Sequence, residues 1–150
     1  MKSAKFIPEA RFVVIGRSSD NSIDYLKTIA SANVEFTGFV SDNDLVKWYQ
    51  KANVVCQLSY YEAFGLSPAE GMACGCIPVV TKERAGMPEF VGKAGFYTVY
   101  GDEENTTDAI KKALNAPEEL EKKARKRIVD DFSIETREMS IYKIINDFEE

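Results

Sequence analysis

The sequence contains no histidine, one tryptophan and only three cysteines in 150 residues. Three cysteines without any histidine argue against a zinc site and are typical of a protein from a reducing compartment. No apolar run approaches the roughly 20 residues that a membrane-spanning helix requires. The start, Met1-Lys2-Ser3, leads into a polar, basic segment rather than a secretory signal. We therefore expect a cytoplasmic protein without a membrane segment.

The sequence also has no excess of basic residues. The 19 lysines and arginines are outnumbered by 24 acidic residues, which gives a net charge of −5. A nucleic-acid-binding surface needs a basic stripe, so we expect no nucleic-acid partner. Apolar residues make up 45% of the chain and charged residues 29%, as in ordinary globular proteins. The length is that of one domain, large enough to bury a sizeable core.

Short runs of β-branched and aromatic residues alternate with segments of helical periodicity. The runs predict five strands, at residues 11–15, 34–39, 54–58, 77–81 and 96–99. The periodic segments predict helices after residue 20, after residue 41, at about 67–73, and at 107–114, 117–130 and 133–148. Strands that alternate with helices predict an α/β fold with a Rossmann-like, doubly wound parallel sheet.

The stretch Glu62-Ala-Phe-Gly-Leu-Ser-Pro-Ala-Glu70 lies between the third and fourth predicted strands. A strand, a glycine-containing turn and a helix start form an anion site, because free N–H groups and the helix dipole point outward there. The local pattern leaves both carboxylates open to two interpretations. Glu70 either binds a ligand or closes a capping box with Ser67. Glu62 either binds a ligand at the end of a strand or is a solvated loop residue.

Together with Gly71-Met-Ala and Pro78-Val-Val80, this stretch resembles the E-x7-E signature of the retaining GT-B glycosyltransferases, especially family four. Other segments fall in that family's order and at roughly its spacing, namely residues 10–16, 34–40, 52–59, 87–91 and 131–133. The resemblance covers nearly the whole chain. It implies the C-terminal, donor-binding domain of a hexosyltransferase-like enzyme that moves a sugar, with retention, from a nucleoside diphosphate sugar to an acceptor hydroxyl. The alternative is a non-catalytic nucleotide or nucleotide-sugar binding module on the same fold.

The resemblance also assigns roles to individual residues. It implies that Glu62 is the carboxylate of the catalytic site and accepts hydrogen bonds from the donor sugar. The sugar and diphosphate would lie against Glu62, Ala63, Phe64, Gly65 and Leu66. Glu70 would bind the ribose. Phe39 and Val40 would contact the nucleobase, although both could instead be core residues at the end of a strand.

The resemblance implies neither a metal nor another cofactor. Asp42-Asn-Asp44 spells the D-x-D sequence that holds a divalent metal in the other large glycosyltransferase fold. In this chain the same residues fit the first turn of a helix capped by Ser41, where acidic side chains are favourable. We therefore interpret the three residues as a helix start and expect no bound metal.

Two parts of the family pattern find no match. The family's first strand and helix, which carry the arginine and lysine that clamp the diphosphate, would precede the segment at 10–16. Arg17 follows a different strand, so the clamp role is not carried over to it. The N-terminal acceptor-binding domain finds no match either. We therefore expect residues 1–150 to be a single, N-terminally truncated nucleotide-sugar-binding domain, inactive by itself. Its parent would be cytoplasmic or peripheral to the inner membrane face.

The last predicted helix carries an apolar set that is wide for one partner surface. Its members are Ile134, Ile141, Tyr142, Ile144, Ile145 and Phe148. Exposed apolar patches of this kind mark interaction sites. In the family this helix commonly crosses toward the other domain, so without that domain we expect exposed apolar surface or self-association.

Overall fold

The computed structural model of the chain describes residues 2–17, 20–82 and 86–147. The strands are β1 Phe12–Ile15, β2 Val34–Gly38, β3 Val54–Gln57, β4 Ile77–Thr81 and β5 Phe96–Thr98. The helices are α1 Ser22–Ile29, α2 Asp42–Lys51, α3 Leu66–Ala73, α4 Met87–Val91, α5 Glu103–Leu114, α6 Glu118–Asp131 and α7 Ile134–Asp147. A 3-10 helix at Lys2–Phe6 precedes them. The prediction of a parallel α/β fold with five strands is confirmed.

The five strands form two parallel sheets rather than one. Strand β1 pairs with β2, with Phe12 opposite Val34 and Ile15 opposite Gly38. In the other sheet β4 is central and pairs with β3 on one side and β5 on the other. No strand pairing joins β1 to β3 among the described residues. The doubly wound sheet that we predicted is thus present in two pieces.

Strand β4 is the centre of the core. All five of its residues are buried, as expected for a central parallel strand covered on both faces. On one face Val80 packs in a cluster with Met72, Phe90 and residues of α4 and α6. On the other face Ile77 and Val79 pack with Ile7, Ala109, Ile110 and Ala113. Alternate side chains of one strand therefore feed two separate clusters.

The two-stranded sheet is covered much less completely. Every residue of β1 and β2 is only half-buried, and α1 buries no residue. One side chain fastens this sheet to the N-terminal segment: Asn33 Nδ2 donates to the carbonyl oxygens of Ala4, Ile7 and Ala10 at 2.8–3.0 Å. The β1–β2 half is thus held by a few polar contacts as well as by apolar packing.

Helix α7 buries none of its residues. Its large apolar side chains are exposed, among them Ile134, Ile141, Tyr142, Ile144 and Ile145. The predicted exposure of this apolar set is confirmed for these five, whereas Phe148 lies outside the described residues. Across the part of the chain that the structure describes, no helix has both the length and the apolar character needed to cross a membrane.

Candidate functional site

Helix α3 begins one residue earlier than predicted, and its N-cap is glycine. The N-cap residue is Gly65, with φ at +93°, and no side chain caps the helix. The interpretation of Ser67 and Glu70 as a capping box is therefore wrong. A left-handed glycine starts the helix at Leu66, which places Ser67 inside the first turn instead of before it. The Ser67 hydroxyl lies 2.9 Å from the Tyr49 hydroxyl instead.

The start of α3 keeps its backbone donors available. The first N–H groups of a helix have no partner within the helix. Among the described residues, no backbone carbonyl accepts a hydrogen bond from the N–H groups of Phe64, Gly65 or Leu66. With no side-chain cap either, these groups and the helix dipole have the arrangement on which the prediction of an anion site depends.

Two glycines hold the loop before α3 against the start of α4. The N–H of Gly86 donates to the carbonyl of Glu62 at 3.1 Å. A Cβ on Gly86 would lie 2.2 Å from the Ala63 carbonyl oxygen, and a Cβ on Gly65 would lie 2.7 Å from Cγ of Met87. A side chain at Gly86 would collide with the backbone, and one at Gly65 would force the Met87 side chain to shift. Both glycines therefore allow residues 62–65 to lie close to α4.

The side chain of Phe64 anchors the same loop. Its ring centroid lies 5.0 Å from that of Phe90 and 6.4 Å from that of Phe132. Arg127 lies over the Phe132 ring at 5.5 Å and donates to the Glu89 carbonyl at 2.6 Å. The resemblance places Phe64 beside the sugar and diphosphate and gives its side chain no packing role. The aromatic contacts come from α4 and from the end of α6, and no local signal could have indicated them.

The two predicted carboxylates lie in different surroundings. Glu62 is half-buried, and its carboxylate has no hydrogen bond or ion pair among the described residues. Glu70 is exposed, and its Oε2 lies 3.5 Å from the Tyr49 hydroxyl. Carboxylates only accept hydrogen bonds, and each has room for several. Both therefore suit the hydroxyl groups of a sugar or a ribose.

The predicted nucleobase contacts lie beyond the end of β2. Phe39 is 64% exposed, so the core alternative is wrong for this residue. The guanidinium of Arg17 lies 4.2 Å from the centre of its ring. Val40 is half-buried and lines a cleft of about 540 Å³ with Thr37 and Trp48. No hydrogen bond or ring contact among the described residues joins these residues to the loop at 62–65.

The D-x-D sequence forms the start of α2. The Ser41 hydroxyl accepts a hydrogen bond from the Asp44 N–H at 3.2 Å, which confirms the capping interpretation. Asp44 also binds Lys47 at 2.8 Å. The Ser41 hydroxyl also donates to the Asp44 carboxylate at 2.7 Å. The hydrogen bonds from Lys47 and from Ser41, the lysine first, hold the pKa of Asp44 below its usual value. In the described parts of the chain, no group of three or more possible ligands is arranged to hold a metal ion.

Relatives of known activity resemble this chain over much of its length. It is 34% identical over 127 residues to the D-inositol 3-phosphate glycosyltransferase of Mycobacterium avium. This match covers 78% of this chain and 30% of the relative. It is 39% identical over 77 residues to the O-antigen chain mannosyltransferase B of Escherichia coli. That match covers 51% of this chain and 19% of the relative. The chain thus spans a third or less of these relatives.

Solved structures share the fold. The Anabaena protein HepE, in complex with UDP and glucose, matches 97% of this chain and 42% of its own with a TM-score of 0.80 at 21% identity. Sucrose-phosphate synthase from Thermosynechococcus elongatus matches 97% of this chain and 40% of its own with a TM-score of 0.82 at 24% identity. At such identities the likeness concerns the fold alone. The family model for glycosyl transferases group 1 matches residues 1–129, and the chain therefore belongs to that family.

Proposed function

We propose that this chain is the donor-binding part of a retaining, family-four-like glycosyltransferase. The parent enzyme would move a sugar from a nucleoside diphosphate sugar to an acceptor hydroxyl. One observation carries the proposal: helix α3 starts at a left-handed Gly65 with no side-chain cap, and it is preceded by the carboxylate of Glu62, which has no partner among the described residues. An anion site next to a hydrogen-bond acceptor suits a diphosphate joined to a sugar.

The chemistry of sugar transfer requires what this helix start offers. Negative charge develops on the departing diphosphate as the glycosidic bond breaks. Backbone N–H groups held in place stabilise that charge without having to reorganise. The close contacts of Gly65 and Gly86 and the packing of Phe64 keep the donor groups of Phe64, Gly65 and Leu66 in position. Fixed geometry of this kind favours the transition state.

The remaining site residues recognise the parts of the donor. Glu62, the carboxylate nearest the reacting centre, accepts hydrogen bonds from the sugar hydroxyls, and Glu70 accepts them from the ribose. The exposed ring of Phe39 and the neighbouring Val40 contact the nucleobase. The diphosphate is held by N–H groups, so the site needs no metal or cofactor. The Anabaena protein of similar fold was crystallised with UDP and glucose, which supports a uridine nucleotide as the first probe.

The parent protein would supply two further parts. The chain spans 30% of its mycobacterial relative and 42% of the Anabaena structure, which supports an additional acceptor-binding domain. We further infer that the family's first strand, outside this chain, lies between β1 and β3 and joins the two sheets. Within residues 2–17, 20–82 and 86–147, β1 pairs only with β2, and β3 pairs only with β4. Its diphosphate clamp would complete the site.

Binding of nucleotide sugars tests the proposal. We expect calorimetry with UDP, GDP, ADP and their glucose or mannose derivatives to give one base that binds. Glu62→Ala should lower the affinity for the sugar-bearing ligand about tenfold or more, because hydrogen bonds to an ionised group are lost. It should leave the bare diphosphate unaffected. Glu104→Ala, an exposed acidic residue of α5, is the control. An equal effect on both ligands would refute the role of Glu62, and the absence of any binding would refute the proposed function.

Activity of the isolated chain tests the fragment hypothesis separately. Positioning of the acceptor contributes much of the rate of a transfer reaction, and here the acceptor domain and the clamp would be outside the chain. We expect the purified 150-residue chain to transfer no sugar to added acceptors, measured with a radiolabelled donor. Transfer by this chain would overturn the fragment hypothesis while leaving the donor site intact.

A further inference from the structure

Tyr49 connects helix α2 to the first turn of α3. Its hydroxyl oxygen lies 2.9 Å from Oγ of Ser67 and 3.5 Å from Oε2 of Glu70. Tyr49 is only 9% exposed, whereas Ser67 and Glu70 are both exposed. The Tyr49 side chain is therefore fixed in the core, and its hydroxyl group reaches the surface of the candidate site.

Both ends of this contact are held firmly. Tyr49 packs in a cluster with Val55 and Cys76, and the Cys76 thiol donates to the Tyr49 carbonyl at 3.1 Å. Helix α3 lies directly against β3, since a Cβ on Gly71 would be 2.8 Å from Cγ1 of Val55. Close packing of this kind leaves the phenol little freedom relative to α3.

The available protons allow a directed chain of hydrogen bonds. Burial raises the pKa of the Tyr49 hydroxyl above its usual value, so the group is protonated at neutral pH. The Ser67 hydroxyl can donate to Tyr49, and the tyrosine proton is then free for the carboxylate of Glu70, which only accepts. A hydrogen bond to an ionised acceptor is stronger than a neutral one. The contact at 3.5 Å is long, and such bonds commonly tighten when a ligand binds.

We propose that Tyr49 is a positioning residue that orients the carboxylate of Glu70 toward a ribose. The inference rests on the proposed function, because it assumes that Glu70 binds a ribose. An exposed glutamate samples many rotamers, and a ligand that uses it must order it. A buried phenol that donates to one carboxylate oxygen orders it beforehand and leaves the other oxygen for the two ribose hydroxyls.

The test compares a nucleoside diphosphate with its 2′,3′-dideoxy form. The probe is UDP, GDP or ADP, whichever binds the full chain in calorimetry. We expect the unchanged chain to prefer the ribose form, and Glu70→Gln to abolish most of that preference. Tyr49→Phe should reduce the preference about fivefold to tenfold, the loss of one hydrogen bond to an ionised group. The affinity for the dideoxy form should stay the same, and Ser67→Ala should have a smaller effect in the same direction.

Tyr97→Phe is the matched control. It removes a half-buried tyrosine hydroxyl that donates to the Gly92 carbonyl at 2.7 Å, outside the candidate site. It should leave the ribose preference unchanged. If Tyr49→Phe does not fold, Ser67→Ala decides, because it changes only an exposed residue: a reduced preference supports the inference and an unchanged one overturns it.

The outcomes separate the two proposals. If the chain prefers the ribose form and Tyr49→Phe keeps that preference, only the inference about Tyr49 fails. If Tyr49→Phe lowers the affinities for the ribose and the dideoxy forms by the same factor, Tyr49 has only a structural role and the inference again fails. If the unchanged chain binds none of the three diphosphates, the proposed function fails and this inference fails with it.

Discussion

Strand β4 buries all five of its residues, whereas no residue of β1 or β2 is fully buried. The sequences of the strands do not account for this difference, since β1 reads Phe-Val-Val-Ile and β4 reads Ile-Pro-Val-Val-Thr. What differs is the surroundings. Packed clusters cover both faces of β4, while α1, which follows β1 in the chain, buries no residue. Apolar composition makes burial favourable, but the neighbouring elements decide whether it happens.

The same comparison separates the parts of the proposed site. Residues 62–70 sit on the well-packed half, where close glycine contacts and aromatic rings fix the backbone. Phe39 and Val40 follow β2, on the half with less cover. The rigid backbone at residues 62–70 suits the diphosphate, which must be held in a fixed position for the reaction. The less constrained Phe39 and Val40 suit the nucleobase, which only has to be bound.

Substitution of one phenylalanine in or beside each of the two sheets should give the largest difference in the free energy of unfolding. Phe90 is fully buried, and Phe90→Ala should cost about 3–5 kcal/mol, which is a large part of a typical domain's stability. Phe36 is half-buried in β2, and Phe36→Ala should cost about 1–2 kcal/mol because less apolar surface is removed from the interior. Urea denaturation measures both. Equal losses would show that the two-stranded half is packed as tightly as the other.

Two glycines with positive φ sharpen the comparison at the level of the backbone. Gly38, with φ at +70°, has no atom within 4 Å of a Cβ position. Gly38→Ala should cost about 1–2 kcal/mol from the backbone conformation alone. Gly65→Ala should cost about 1–3 kcal/mol more, because its Cβ would also collide with Met87. Denaturation midpoints of the two variants give the difference. If Gly65→Ala proved no worse than Gly38→Ala, the close approach of the loop to α4 would be of no importance.

The smallest effect on stability is expected in α7, which packs with neither half strongly. Ile141→Ser and Ile145→Ser change exposed side chains, so the free energy of unfolding should change by no more than about 0.5 kcal/mol. The same variants should reduce self-association of the chain, measured by sedimentation over a range of concentrations. Lys143→Ser, on the same helix, should leave self-association unchanged. A monomeric wild-type chain at high concentration would contradict the expectation.

Much of the fold could be predicted because its signals are local. The runs of β-branched residues predict all five strands to within a residue at each end, and the start of α2 follows from Ser41 and Asp44. The capping box at Ser67 and Glu70 could not be judged in the same way. Its spacing fits a cap equally well when the helix starts elsewhere, and a left-handed Gly65 together with the contact to Tyr49 decided otherwise.

The sequence by itself determined the order of strands and helices, the glycine-started helix between β3 and β4, and the family to which these belong. These features depend on residues close together in the chain, whose conformational preferences act locally. The tertiary structure alone decided that Phe64 packs on Phe90 and Phe132, that Tyr49 reaches Glu70, and that the strands divide into two sheets. These contacts join residues far apart in the sequence, and their geometry follows only from how the elements pack.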